Sequence, residues 1–133
     1  MKFLLDTNIC IYLIKKKPPE VLQRFNTVEV GEIGVSSITV AELEFGVQKS
    51  QFPEKNHQAL TQFLLPLLVL DFDKSAAVIY GNIRAGLEKQ GKPIGSLDTL
   101  IAAHALSLDA TLITNNLKEF ERVPNLKLEN WVN

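Results

Sequence analysis

The chain predicts an α/β fold in three layers, with helices on both faces of a small, mostly parallel sheet. Two observations carry that expectation. Short apolar runs of strand length alternate with longer segments of helical period along the whole sequence. Each run is followed by a helix rather than a tight hairpin turn, and strands joined through helices lie parallel. A third observation sets the scale: 133 residues suit a single domain over 1–133, with no repeat, low-complexity segment or linker to divide it.

KFLL (2–5) reads as a buried strand. TNICIYLIKK (7–16) has helical period, its last lysines sit favourably at the negative end of the helix dipole, and Pro18 and Pro19 stop it. EVLQRFNT (20–27) is a short second helix, and EIGVSS (32–37) a second strand with its exit. Helices are expected over 39–50 and 53–65, then a strand at LLVLDF (67–72). A long helix over 73–91 ends at Gly91, and another follows over 96–109. ATLIT (110–114) is a strand, 116–123 a short helical turn, and 126–131 a last short strand.

Composition narrows the function. A net charge of −1 gives no global positive field, so any nucleic-acid contact must come from local basic patches. The candidates are Lys15, Lys16 and Lys17, with Arg84, Lys89 and Lys92 as a second group. The lone cysteine, Cys10, excludes an intramolecular disulfide or a CxxC metal site. With no signal-peptide core after Met1, it points to a reducing cytoplasm. The longest apolar stretch, FLLPLLVL (63–70), is too short to span a bilayer and contains Pro66, so no membrane role is expected.

Ligands of parallel α/β sheets bind at the carboxyl ends of the strands, where helices begin. Asp6 closes the first strand, Glu42 lies in the first turn after the second, and Asp98 opens the apolar helix SLDTLIAA. The fourth strand ends in ITNN, with Glu119 three residues further on. Singly, each has a structural explanation. Asp6, Thr7 or Asn8 can cap a helix, Thr39 and Glu42 fit a capping box, and Ser96 can cap the helix carrying Asp98. Together, several carboxylates at one sheet edge repel one another unless a cation sits among them. All-oxygen ligands select Mg²⁺ or Mn²⁺, which can activate water against a phosphodiester. His57 and His104 make no zinc set and read as surface or partly buried residues.

With these motifs in order, FLLDTNICIYLIK, SSITVAELEFGV, PIGSLDTLIAAHALSLDATLITNN and EFERVPNLKLENW resemble the PIN-domain ribonuclease toxins of the VapC type, from residue 2 to residue 131. The resemblance implies an α/β/α sandwich, Mg²⁺- or Mn²⁺-dependent endoribonuclease activity on structured RNA such as tRNA, and a toxin–antitoxin module. It puts the family's acids on Asp6, Glu42 and Asp98, with Asp6 and Asp98 as metal ligands and Asn8 and Thr114 in support. Where many PIN domains carry an aspartate after the fourth strand, this chain has Asn116, and the comparison with some VapC proteins points to Glu119 as the fourth acid. A homodimer and a VapB-type antitoxin, covering the active site with its C-terminal segment, are the implied partners.

Three other readings compete. Asp71 and Asp73 in LLVLDFDKS resemble the DxD of haloacid-dehalogenase phosphatases, although Asp73 also suits a helix cap. A receiver-like signalling domain needs an acidic pair after the first strand and a late lysine, which LLDTN and LKLENW do not supply. A degenerate PIN module that binds RNA or protein without cutting is opposed by the three acids.

Overall fold

The structure is a computed structural model that describes residues 1–132. Five strands form one sheet: β1 (Phe3–Leu5), β2 (Ile33–Ser36), β3 (Leu68–Leu70), β4 (Thr111–Ile113) and β5 (Leu128–Glu129). All neighbours pair parallel, in the order β3-β2-β1-β4-β5. Leu4 at the centre lies opposite Gly34 on one side and Leu112 on the other.

Alternation along β1 builds two cores. Phe3 and Leu5 face one way and join Ile9, Val21, Leu43 and Leu60. These come from helices α1 (Thr7–Lys15), α2 (Pro19–Asn26), α3 (Ser37–Gln48) and α4 (Pro53–Leu64). Leu4 faces the other way and joins Ile83, Ile101 and Phe120, from α5 (Lys74–Lys89), α6 (Ser96–Ser107) and α7 (Leu117–Phe120). Because both faces of the central strands are covered, those strands read in sequence as unbroken apolar runs.

Side chains at the strand exits start three of the helices. Asp6, Ser36 and Asp73 accept from the backbone N–H groups of Ile9, Ile38 and Ala76, at 2.8, 3.1 and 3.0 Å. Helix α3 therefore begins one turn before the Thr39–Glu42 box, and the Glu42 carboxylate has no capping duty. Helix α6 starts at Gly95 with no side-chain cap, so neither Ser96 nor Asp98 serves as one. Gly91, at φ 68°, takes the left-handed conformation just beyond α5, where glycine carries no Cβ penalty.

Some elements differ from expectation. β3 covers Leu68–Leu70 rather than 67–72, and it is an edge strand in which Leu68 and Val69 are 42% and 48% exposed. β5 holds only two residues, because its pairing with β4 spans only Leu128 and Glu129. His104, expected at the surface or partly buried, is 1% exposed, because α6 is covered on the side that carries it.

The chain adds β2 and β3 on one side of β1 and later β4 and β5 on the other. This reversal opens a crevice at the carboxyl ends of β1 and β4, the usual ligand position in such sheets. Asp6 follows β1 there, and Thr114 follows β4.

Candidate active site

Asp6 is held from two directions. Its backbone N–H donates to the Ile113 carbonyl at 3.0 Å across the β1–β4 pair, while its Oδ1 caps α1. Asp6 as a whole is 6% exposed. Burial raises its pKa, the Thr114 hydroxyl beside it and the Ile9 N–H pull it down, and the charge of Glu42 pushes it up again.

Glu42 is half-buried and anchored by the neighbouring helix. The Thr7 hydroxyl donates to Glu42 Oε1 at 2.7 Å and lies 3.3 Å from the buried Thr39 hydroxyl. Thr7 is the first residue of α1, immediately after Asp6, so the element that positions the first acid also orients the second.

Asp98 and Glu119 form a coupled pair. Desolvation, a hydrogen bond with Glu119 and the charges of Glu119, Asp6 and Glu42 push Asp98 up to about 7. Glu119 moves the other way: the Gly95 N–H, the Asn116 side chain and Asp98 all hydrogen-bond it and lower its pKa. Of the two, Asp98 is the acid that holds its proton more tightly, and Glu119 the one that ionises more readily. Glu119 Oε1 accepts from Gly95 N–H at 2.9 Å, and its Oε2 accepts from Asn116 Nδ2 at 2.7 Å.

The ITNN segment divides its work. Thr114 Oγ1 accepts from the Asn116 backbone N–H at 2.9 Å and turns the chain. Asn115 reaches the Tyr12 hydroxyl at 3.0 Å. The Asn116 side chain does not cap α7 but orients Glu119.

The four carboxylates supply only oxygen donors. They suit a hard divalent cation, which would relieve the repulsion that raises Asp98 and Asp6. Among the described residues, no lysine or arginine forms an ion pair with any of them. No three His, Cys, Asp or Glu side chains among those residues are grouped closely enough to hold an ion as they stand.

The other candidates fall further out. Asn8 is exposed on the first turn of α1. Lys15, Lys16 and Lys17 are exposed at the far end of α1, about 13 Å along its axis from Asp6. Arg84 is engaged on α5, its Nε 2.9 Å from Glu88 and its Nη1 2.8 Å from the Tyr80 hydroxyl. Lys89 and Lys92 are exposed around the end of α5. Sequence reasoning weighed Thr7 only as a cap and missed the Gly95 N–H. The polar residue beside the acid in LLDTN was the signal for Thr7, whereas a backbone donor leaves none.

Fold and site together define a three-layer α/β protein with acidic side chains gathered near the switch point of its sheet. The sequence profile of the PIN domain matches residues 3–126. The chain is 53% identical over 132 residues to ribonuclease VapC2 of Haemophilus influenzae, covering 99% of both chains. It is 48% identical over 131 residues to the tRNA(fMet)-specific endonuclease VapC of Shigella flexneri, covering 98% of both. Among solved structures, DNA-bound VapBC from Salmonella typhimurium matches with a TM-score of 0.93 at 46% identity, covering 98% of both chains. The chain belongs to the PIN-domain family, in its VapC ribonuclease branch. PIN-domain ribonucleases are generally metal-dependent. No helix among the described residues is long and apolar enough to cross a membrane.

Proposed function

We propose that this chain is an endoribonuclease dependent on Mg²⁺ or Mn²⁺, the toxin of a toxin–antitoxin pair, working as one PIN domain in the cytoplasm. The observation that carries the reading is that the charges of Glu119, Asp6 and Glu42 all act on Asp98, which burial and these neighbours push up to about 7. A divalent ion bound there would supply Lewis acidity, to activate water and neutralise phosphate charge. Asp6 and Asp98 would hold the ion. Thr7 keeps Glu42 aimed at the pocket, and Gly95 and Asn116 do the same for Glu119. Glu42 and Glu119 would orient water or accept its proton. Thr114 keeps the Asp6 carboxyl ionisable, and Asn8 is exposed on the first turn of α1. Hydrolysis then needs no covalent enzyme intermediate.

Structured RNA is the substrate class, and the name of the Shigella flexneri relative makes initiator tRNA the first to try. Lys15, Lys16 and Lys17 offer phosphate contacts, with Lys89 and Lys92 as further candidates and Arg84 the least available. A VapB-type antitoxin is the partner, as the VapBC complexes of similar fold support. A groove of 430 Å³ between α1, α3 and α4, lined by Ile11, Ile14, Leu43 and Val47 and ending at Glu42, suits an apolar antitoxin segment. An antitoxin arginine entering the pocket would pair with its carboxylates. Leu65, Leu68 and Val69, exposed beside and along the edge strand, support self-association into a homodimer.

The test is incubation of the purified chain with tRNA in Mg²⁺, in Mn²⁺ and in chelator. Discrete fragments with metal and none with chelator are expected. Intact RNA under every condition would favour the non-catalytic PIN module, and metal-independent cleavage would overturn the chemistry.

A further inference from the structure

At the start of α3, a buried histidine joins two of the helices that carry acids. His104 is 1% exposed and Ser36 0% exposed, and His104 Nδ1 lies 2.8 Å from Ser36 Oγ, across 68 residues of sequence. That same Ser36 oxygen is the N-cap of α3, accepting the Ile38 N–H at 3.1 Å. Phe72, at the exit of β3, sets its ring edge-on against His104, with centroids 5.4 Å apart. The Phe72 N–H donates to Ser37 Oγ at 3.1 Å. The contacts close a ring: Ser36 to His104, His104 to Phe72, Phe72 to Ser37, and Ser37 back to Ser36 through the chain.

We infer that His104 is a positioning residue for the carboxylate pocket: through Ser36 it fixes α3, which carries Glu42, against α6, which carries Asp98. The inference rests on the proposed function above. His104 follows Asp98 by six positions on α6, about 9 Å along the helix axis, so it acts through the helices and not on the reacting atoms. The two helices pack directly on one another. Burial lowers the pKa of His104, against the opposing pull of Asp73 and Asp71, so the ring is neutral and its bond to Ser36 is an uncharged one.

An aliphatic side chain of similar size would fill this place without the desolvation cost of an imidazole. What the aliphatic lacks is direction. A hydrogen bond to a cap oxygen admits one rotation of α6 against the start of α3, and a metal site tolerates only small displacements of its ligands. Partners that orient ligands without touching the metal commonly govern affinity by about 10- to 100-fold.

The test compares wild type, His104→Leu, His104→Asn and His104→Gln, each folded as judged by its melting temperature. Mn²⁺ affinity is measured by calorimetry without RNA, and kcat and KM are measured on tRNA. His104→Leu is expected to weaken Mn²⁺ binding about tenfold and to lower kcat similarly, with KM little changed. The asparagine carboxamide reaches Ser36 much as Nδ1 does, so His104→Asn should stay within about threefold of wild type, while His104→Gln, whose carboxamide lies one bond further out, should resemble the leucine variant. If His104→Leu does not fold, the Asn and Gln variants decide between them. Wild-type Mn²⁺ affinity and kcat in His104→Leu, or equal values in the Asn and Gln variants, would overturn the inference alone. A wild-type protein that neither binds Mn²⁺ nor cleaves RNA would overturn the proposed function and this inference with it.

Discussion

Thr7 Oγ1 donates a 2.7 Å hydrogen bond to Glu42 Oε1, so the residue after the first acid holds the second. Thr7→Val keeps the shape and removes the donor. A hydrogen bond to a charged group contributes about 1.5–3 kcal/mol when well shielded, and this one is only partly buried. The variant should lose about tenfold in kcat while its melting temperature moves by only a few degrees. Unchanged turnover would remove Glu42 orientation from the account.

Metal-free stability should fall as pH rises toward neutrality. Asp98 titrates near 3.8 in an ordinary setting and at about 7 in the folded chain. Between those values the native state binds more protons than the unfolded one, so stability present in acid is lost as pH climbs through the folded pKa. Asp6, also raised, adds to the same trend. Thermal melts from about pH 5 to about pH 8 should show a decline that Asp98→Asn largely removes. Saturating Mg²⁺, which binds the ionised carboxylates, should offset it. A melting temperature that rises over this range in the metal-free wild type, and not in Asp98→Asn, would contradict the assignment.

Glu119 is expected to matter more than Asn116. Glu119→Gln keeps an acceptor for the Gly95 N–H but loses the charge, and should cut turnover by about tenfold or more. Asn116→Ala leaves Glu119 ionised and held by Gly95, so its loss should be smaller. Glu119→Gln should also bring the Asp98 pKa down, a change that carbon-detected NMR titration reads directly. The reverse ranking of the two variants would return the fourth position to Asn116.

RNA affinity should be salt-dependent through the lysines at the end of α1. Replacing Lys15, Lys16 and Lys17 with Gln should flatten the slope of log K against log salt by about two, at roughly 0.7–0.9 per phosphate contact. Arg84→Gln should leave the slope close to wild type, because Glu88 and Tyr80 already engage that guanidinium. Filter binding in the catalytically silent Asp6→Asn background measures both.

Much of the fold was legible because covered parallel strands and capped helices leave strong local marks. FLL and LI are buried apolar runs, and Asp6 and Asp73 stand where helices start. The start of α3 was misread by a turn, because Ser36 and Thr39 are both plausible caps and only packing selects between them. At the site, the acids were visible as charges placed at strand exits. The Thr7–Glu42 bond spans 35 residues and the Ser36–His104 bond 68, and no local pattern encodes a partner so distant. His104 in particular looks like any polar residue on an apolar helix until α6 is seen to be covered on both sides.

The most direct measurement of the central claim is single-turnover cleavage of tRNA by Asp6→Asn in saturating Mg²⁺, beside a melting curve of the same sample. Asparagine keeps an oxygen to cap α1 at Ile9 but carries no charge for a divalent ion. Removing one carboxylate from a repelling set should leave the metal-free melting temperature unchanged or raise it. The account predicts a cleavage rate down by at least about a hundredfold in a fully folded protein. Wild-type cleavage by folded Asp6→Asn would contradict it.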